Sequence, residues 1–165
     1  MSQLLIKQKV FSITDKYDVY DADGNPKYFV KSDFFTIGHR IHVFDKASGQ
    51  EIGMIQEKVF RILKEFEISI NGVSQGKIKR QISFFIPKYD IDYKGWHLEG
   101  DFFHWNYDVF EGERLVVRIS KQLFRWGDTY VLDVVNDMDE LPALMVAIAM
   151  DAAQCSDDNN NSYPH

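Results

Sequence analysis

Several residue sets in this chain have types and spacings that chemistry uses, and each demands a geometry that the surrounding sequence either supplies or withholds. Gly72-Val73-Ser74-Gln75-Gly76 fits G-x-S-x-G, the turn that presents a nucleophilic serine in many hydrolases. That chemistry needs a strand-to-helix turn, which strains the serine outward above an oxyanion hole. Here both flanks alternate apolar and polar residues as strands do, and Asn71-Gly72 is a hairpin signal. Ser74 is therefore expected to be non-catalytic, and Gly76 to mark a bulge or turn. Asp21-Ala22-Asp23-Gly24-Asn25 imitates the first half of a calcium loop. An EF-hand places Gly sixth and Glu twelfth. Counted from Asp21 those positions are Pro26 and Ser32, and a hairpin turn accounts for the same residues.

His39 and His42 are three residues apart, a spacing that points them to opposite faces of a strand. His97 and His104 lie in a separate segment. No ligand pair has supportive spacing, so neither a metal site nor a cofactor is expected. Asp90 and Asp92 share a strand face, as Asp137 and Asp139 would if extended. Paired carboxylates do acid–base work when one is desolvated. No partner for such work is legible, and solvated faces are expected; Asp128, in "RWGDTY", reads as a turn residue. The densest basic cluster is Lys77, Lys79 and Arg80, with Lys77 and Lys79 on one face if the strand is regular. It is the candidate contact for an anionic head group or phosphate. The plainer alternative is an edge strand whose lysines discourage aggregation. The aromatics of "GWHLEGDFFHWNYDVF" and "LFRWGDTY" are interleaved with Glu99, Asp101, Asp108 and Asp128. Acidic neighbours argue for packing between strands and against single-stranded nucleic acid as a partner.

What positions these residues follows from the chain as a whole. Its 165 residues suit one domain, and 45% hydrophobic content is a globular composition. A formal net charge of -6 gives no global attraction to nucleic acid or anionic lipid, though a local basic patch remains compatible with it. The single Cys155 excludes an internal disulfide and a cysteine-built zinc site. The opening "MSQLLIKQKVFSITDKYD" lacks the pattern of a signal peptide, and a reducing, cytoplasmic setting is the expectation.

Upstream of residue 138 the sequence reads as strands and turns. The turns sit at Asp23-Gly24-Asn25-Pro26, Ser48-Gly49, Asn71-Gly72, Lys94-Gly95 and Glu111-Gly112-Glu113. Roughly a dozen evenly spaced strands indicate an antiparallel sandwich or barrel. "SDFFTIGHR" fits a strand poorly and reads as an irregular or short helical link. The segment Leu141 to Ala153 is different. Its apolar residues cover every side of a helical wheel, and Pro142 is tolerated in a first turn that Asp137 or Asp139 could cap. It is too short to span a bilayer, which takes about 20 apolar residues. It is also too apolar to lie on a surface. A closed sheet of about twelve strands is too wide for its own side chains to fill. The helix is therefore expected inside it, with the domain spanning residues 1–154 and a disordered polar tail at 155–165.

At this scale the sequence resembles a known family. "IKQKVFSITDKYDVYDADGNPKYFVKSDFFTIG", "HVFDKASGQEIGMIQEK", "FFIPKYDI", "GDFFHWNYDV", "ISKQLFRWGDTYVLDV" and the apolar C-terminal helix are similar, in order and spacing, to LURP-one-related proteins and their short bacterial members. The resemblance runs from about residue 4 to residue 153. It implies a fold of the tubby C-terminal-domain-like superfamily, to which phospholipid scramblases are related: twelve strands around a central hydrophobic helix. Tubby proteins bind phosphoinositides through basic surface residues, and plant members of the family are linked to defence. No phosphoinositide motif transfers residue by residue. The expectation is a non-enzymatic binding or regulatory module that contacts anionic phospholipid or a protein, with Lys77, Lys79 and Arg80 as the candidate site. The alternatives are an oligomeric interaction scaffold with no small ligand, and an enzyme with its site in a barrel mouth.

Overall fold

Alternating side chains and left-handed turn residues convert most of the chain into a single winding sheet. A computed structural model of the chain describes residues 1–7, 16–33, 38–59, 62–83, 88–125 and 127–161, with 155–161 described through their backbone alone. The strands are β1 (Ser2–Lys7), β2 (Lys16–Asp21), β3 (Pro26–Asp33), β4 (Arg40–Asp45), β5 (Glu51–Glu57) and β6 (Glu65–Ile70). They continue as β7 (Val73–Gln81), β8 (Lys88–Asp92), β9 (Trp96–Asp101), β10 (Asn106–Glu111), β11 (Arg114–Phe124) and β12 (Gly127–Val134), followed by helix α1 (Glu140–Asn161). Asn71 and Gly72 have φ of 50° and 75°, and Lys94 and Gly95 of 47° and 69°. Those left-handed pairs match the twist of the strands they join.

The strands form one antiparallel 12-stranded sheet in the order β8-β7-β6-β5-β4-β3-β2-β1-β12-β11-β10-β9. Almost every neighbour in space is a neighbour in sequence. The exception is β1 against β12, with Leu4 opposite Leu132, which joins the two ends of the meander. The sheet thereby rolls into a nearly closed barrel whose hydrogen-bond ladder stops between β8 and β9. Inward positions such as Ile6, Val30, Val43, Ile55, Ile68 and Leu132 are fully buried.

Helix α1 occupies the interior, as its all-round apolarity predicts. Every residue from Pro142 to Met150 is buried, so no side of the helix meets water. It packs on β5, β6, β7, β11 and β12. Gly53 of β5 admits it: a Cβ there would lie 2.6 Å from the Met145 sulfur. The helix runs past Ala153 to Asn161, further than its apolar stretch, through residues 154–161 that include no Gly or Pro. Of the stretch 155–165 expected as a polar tail, residues 162–165 lie outside the described residues. So do residues 34–37 of the expected irregular link, although Ser32 and Asp33 belong to β3.

The buried part of the helix is fastened at both of its ends. At the start, Tyr28 Oη donates to Glu140 at 2.5 Å and Lys27 Nζ lies 2.6 Å from the same carboxylate. Arg114 binds Asp139 at 2.8 Å, and the N-terminal ammonium binds Asp137 at 3.0 Å. These two carboxylates are thus held by ion pairs, beside a helix N-terminus that favours negative charge. At the other end, Tyr89 of β8 donates to the Ala153 carbonyl at 3.4 Å, and Gln154 donates to the Phe102 carbonyl, just past β9, at 3.2 Å. The Tyr89 and Phe102 rings meet edge to face at 5.7 Å. The last buried turn of α1 therefore spans the gap in the ladder.

Two outcomes follow. Burying a large apolar side chain contributes about 1.5–3 kcal/mol, and a domain's net stability is about 5–15 kcal/mol. Deleting the chain from Leu141 onward should abolish the cooperative thermal transition in near-UV circular dichroism; a truncated chain that still melts sharply would contradict the role of the helix. The second outcome concerns Glu140. Burial opposes its charge, but the bonds from Lys27 and Tyr28 outweigh burial and hold its carboxyl below the ordinary 4.5. A carboxyl lowered by folding stabilises the fold above its unfolded value, and that contribution fades as pH falls through the folded value. Thermal stability should drop as pH falls below 4.5, and Glu140→Gln should flatten that acid limb.

Candidate functional site

The basic cluster sits in the wall of the barrel. Lys77 and Lys79 share the outer face of β7, with Ile78 between them fully buried. The register places Glu67, Lys77 and Asp92 in one row across β6, β7 and β8, and Glu65, Lys79 and Asp90 in the next. Asp90 and Asp92 are therefore the lysines' cross-strand neighbours. Lys77 Nζ lies 3.4 Å from the carboxylate of Glu65, while Lys79 is exposed with no carboxylate partner among the described residues. Arg80 is on the opposite face, half-buried near the strand's end, where its backbone N–H donates to the Lys64 carbonyl at 2.9 Å. The structure thus brings Lys77 and Lys79 together and leaves Arg80 apart. It also corrects the edge-strand alternative, since β7 is paired on both sides, with β6 and β8. That pairing is non-local and left no mark on the sequence of β7.

The other candidates are engaged separately. Ser74 is exposed on β7, just after the Asn71-Gly72 turn, with no helix following. Gly76 stands at a bulge, where Ile68 and Ser69 of β6 face Gly76 and Ser74 and leave Gln75 extra. A Cβ on Gly76 would lie only 2.2 Å from the Asp92 carbonyl oxygen, so β7 and β8 need glycine here. Asp21 accepts from the backbone amides of Asp23 and Asn25 at 3.0 and 2.9 Å, which uses the imitation calcium loop as a hairpin turn. Those amide bonds hold its carboxyl below the usual range. The described histidines do not converge. His39 pairs with Glu57, His42 with both Asp33 and Glu51, His97 with Glu99 and His104 with Asp101. Among the described residues no three potential ligands gather around a metal-sized space. Asp128 is a strand residue paired to Lys121 at 2.8 Å. Trp96, Trp105 and Tyr107 are buried, with the Trp105 and Tyr130 rings 4.4 Å apart, as packing predicts.

The two ends of the barrel are unlike. Where α1 enters, the strands are joined by tight turns carrying Asp21, Asp23, Asp45, Glu111 and Glu113, with Lys46, Lys94 and Val73 exposed among them. At the opposite end the connections are longer. Ile62, Leu123 and Ile82 are 103%, 81% and 76% exposed there. The cations Lys16, Lys88 and Arg125 are exposed at this same end, again with no carboxylate partner among the described residues. None of these six was singled out from sequence. The signal that could have found them is the alternation along the chain of short acidic turns with longer connections rich in apolar residues.

The geometry defines a plugged, nearly closed up-and-down barrel whose chemistry-bearing side chains are distributed over its outside. The chain belongs to the LURP-one-related family, whose model matches residues 2–151. It is 29% identical over 163 residues to the uncharacterised protein YxjI of Bacillus subtilis (strain 168), covering 99% of this chain and 100% of that one. A crystal structure of an Arabidopsis thaliana protein shares the fold with a TM-score of 0.58 at 16% identity, covering 96% of this chain and 91% of that one.

Ser74→Ala should leave thermal stability unchanged, within about 0.5 kcal/mol. Gly76→Ala should lower it by about 1–3 kcal/mol through overpacking against β8. Equilibrium urea unfolding of both variants checks the contrast, and the reverse order would contradict the bulge assignment.

Proposed function

We propose that this protein is a non-enzymatic binding or regulatory module that meets its partner from outside, in the cytoplasm. The observation that carries the reading is the buried run from Pro142 to Met150. Barrels of this width that bind small ligands hold them in the lumen. Here that space is taken by the protein's own helix, so recognition falls to the outer surface. The histidines and carboxylates bind one another in separate pairs across that surface, an arrangement suited to holding strands in register. Of the candidate cations Lys77, Lys79 and Arg80, Lys79 is the one exposed on the wall without a carboxylate partner among the described residues, and it is where an anionic group of a lipid or protein partner would find positive charge. A scaffold acting through copies of itself is the second reading. It is favoured by Met1 and Met138, 89% and 84% exposed at the end where α1 enters.

A thermal-shift screen of metabolites, nucleotides and cofactors tests the first reading. None should raise the melting temperature, because a ligand that binds only the folded state would do so by mass action. A small molecule that stabilises the chain, saturates at one per molecule and loses its effect when Met145 or Ile148 is enlarged would overturn it.

A further inference from the structure

We propose that the gap between β8 and β9 receives an extended, basic segment of a partner protein, which adds to the edge of β9 as a further strand. This rests on the reading that recognition is external, and names the surface and the partner. Residues 88–101, which hold both edges and the turn between them, are described without a break. The Trp96 N–H donates to the Tyr93 carbonyl at 2.8 Å across the Lys94-Gly95 turn. That bond opens a hairpin, yet β8 and β9 form no ladder beyond it. Both strands are drawn to α1 instead, β8 through Tyr89 to Ala153, and the chain after β9 through Phe102 to Gln154.

The aim of the idle backbone groups follows from the alternation of a strand. Trp96 turns its N–H toward β8, so Leu98 and Gly100 turn theirs the same way. On β7, Arg80 donates to the Lys64 carbonyl on the β6 side, so Lys79 and its partner Asp90 face each other and Ile91 turns toward β9. Among the described residues no strand pairs with Ile91, Leu98 and Gly100 on that side. The wall is also thinner there. Ile91 and Leu98 are half-buried, whereas Ile78 and Val109, inward on the next strands, are fully buried. A strand laid along β9 would bond to these backbone groups and cover these side chains.

Charge selects the occupant. Counting back from the Tyr93–Trp96 bond sets Ile91 opposite Leu98, and Asp90 opposite Glu99. Like charges directly opposite oppose direct closure of the hairpin. They favour a segment that brings cations between them. Lys88 and Lys94 stand at the two ends of the gap, which leaves Asp90 and Glu99 as its central charges. A partner segment in which aliphatic residues alternate with Lys or Arg would place the aliphatic ones over Ile91 and Leu98 and the basic ones beside the carboxylates. A second copy paired edge to edge would instead set Glu99 and Asp101 against their own duplicates.

The test uses the full chain and a fluorescein-labelled peptide of about seven residues, alternating Val and Lys, long enough to run the edge of β9. Its anisotropy should rise on titration with the protein and saturate at one per molecule. Glutamate in place of its lysines should weaken binding at least about tenfold, because like charges then meet in the gap. N-methylation of its valines, which removes the donors aimed at Leu98 and Gly100, should abolish binding. Glu99→Lys should weaken it about fivefold, while Glu113→Lys, in the turn after β10, should not. Both carboxylates are exposed, and circular dichroism verifies that each variant is folded. Hydrogen exchange locates the peptide: the Leu98 and Gly100 amides should exchange fast in the free chain and slowly when it is bound, with Glu99 slow throughout. Four results would each overturn the strand-addition proposal: unchanged anisotropy at millimolar protein, equal binding of the glutamate peptide, protection of Leu98 and Gly100 already in the free chain, or protection that rises with protein concentration alone, the mark of a second copy. None of them touches the external-recognition reading, which falls only to a saturable ligand inside the barrel.

Discussion

The structure depends on how a wide ring of strands fills its own interior. Twelve strands enclose more volume than their inward side chains occupy, and protein interiors tolerate little empty space. The chain meets this constraint with its own C-terminal segment, apolar on every side and buried from Pro142 to Met150. The alanines at 143, 147 and 149, all fully buried, keep the helix slim where strands approach. Gly53 does the same from the strand side, giving way to Met145. Barrel and helix are thus two halves of one core.

That arrangement explains where the wall is held by its ladder and where by the helix. Around most of the ring, ladder hydrogen bonds and the helix act together. Between β8 and β9 the ladder stops, and contacts from Tyr89 and Phe102 to Ala153 and Gln154 of α1 take over. On this side the interior also holds two polar groups with no hydrogen-bond partner among the described residues, Trp96 Nε1 on β9 and the Tyr107 hydroxyl on β10. A buried donor left unbonded costs about 1–3 kcal/mol. Burial raises the Tyr107 phenol well above its ordinary value, so it stays protonated and uncharged. The β8–β9 side is therefore the part of the wall that depends most on the helix.

Local chemistry was legible in the sequence. Asn71-Gly72 announced its hairpin, the apolar wheel of residues 141–153 announced an enclosed helix, and the flanks of Ser74 ruled out a nucleophile turn. What escaped the sequence was non-local. Nothing in β7 says that it lies between two acidic strands, so the Lys77 pairing with Glu65 and the cross-strand neighbours of Lys79 became visible only with the register. Glu140 is similar. Its partners Lys27 and Tyr28 are more than a hundred positions away, as the 112-residue separation from Tyr28 shows. The gathering of Asp21, Asp23, Asp45, Glu111 and Glu113 at one end is also a property of the meander, which sends every second connection to the same side.

Hydrogen exchange of the backbone amides from Leu144 to Met150 tests the enclosed helix most directly. A helix surrounded by strands can exchange only when the whole barrel opens, so these amides should be as slow as those of β6 and β12 and share their dependence on denaturant. Exchange of the helix by a separate, easier opening while the strands stay protected would show that the sheet stands without it.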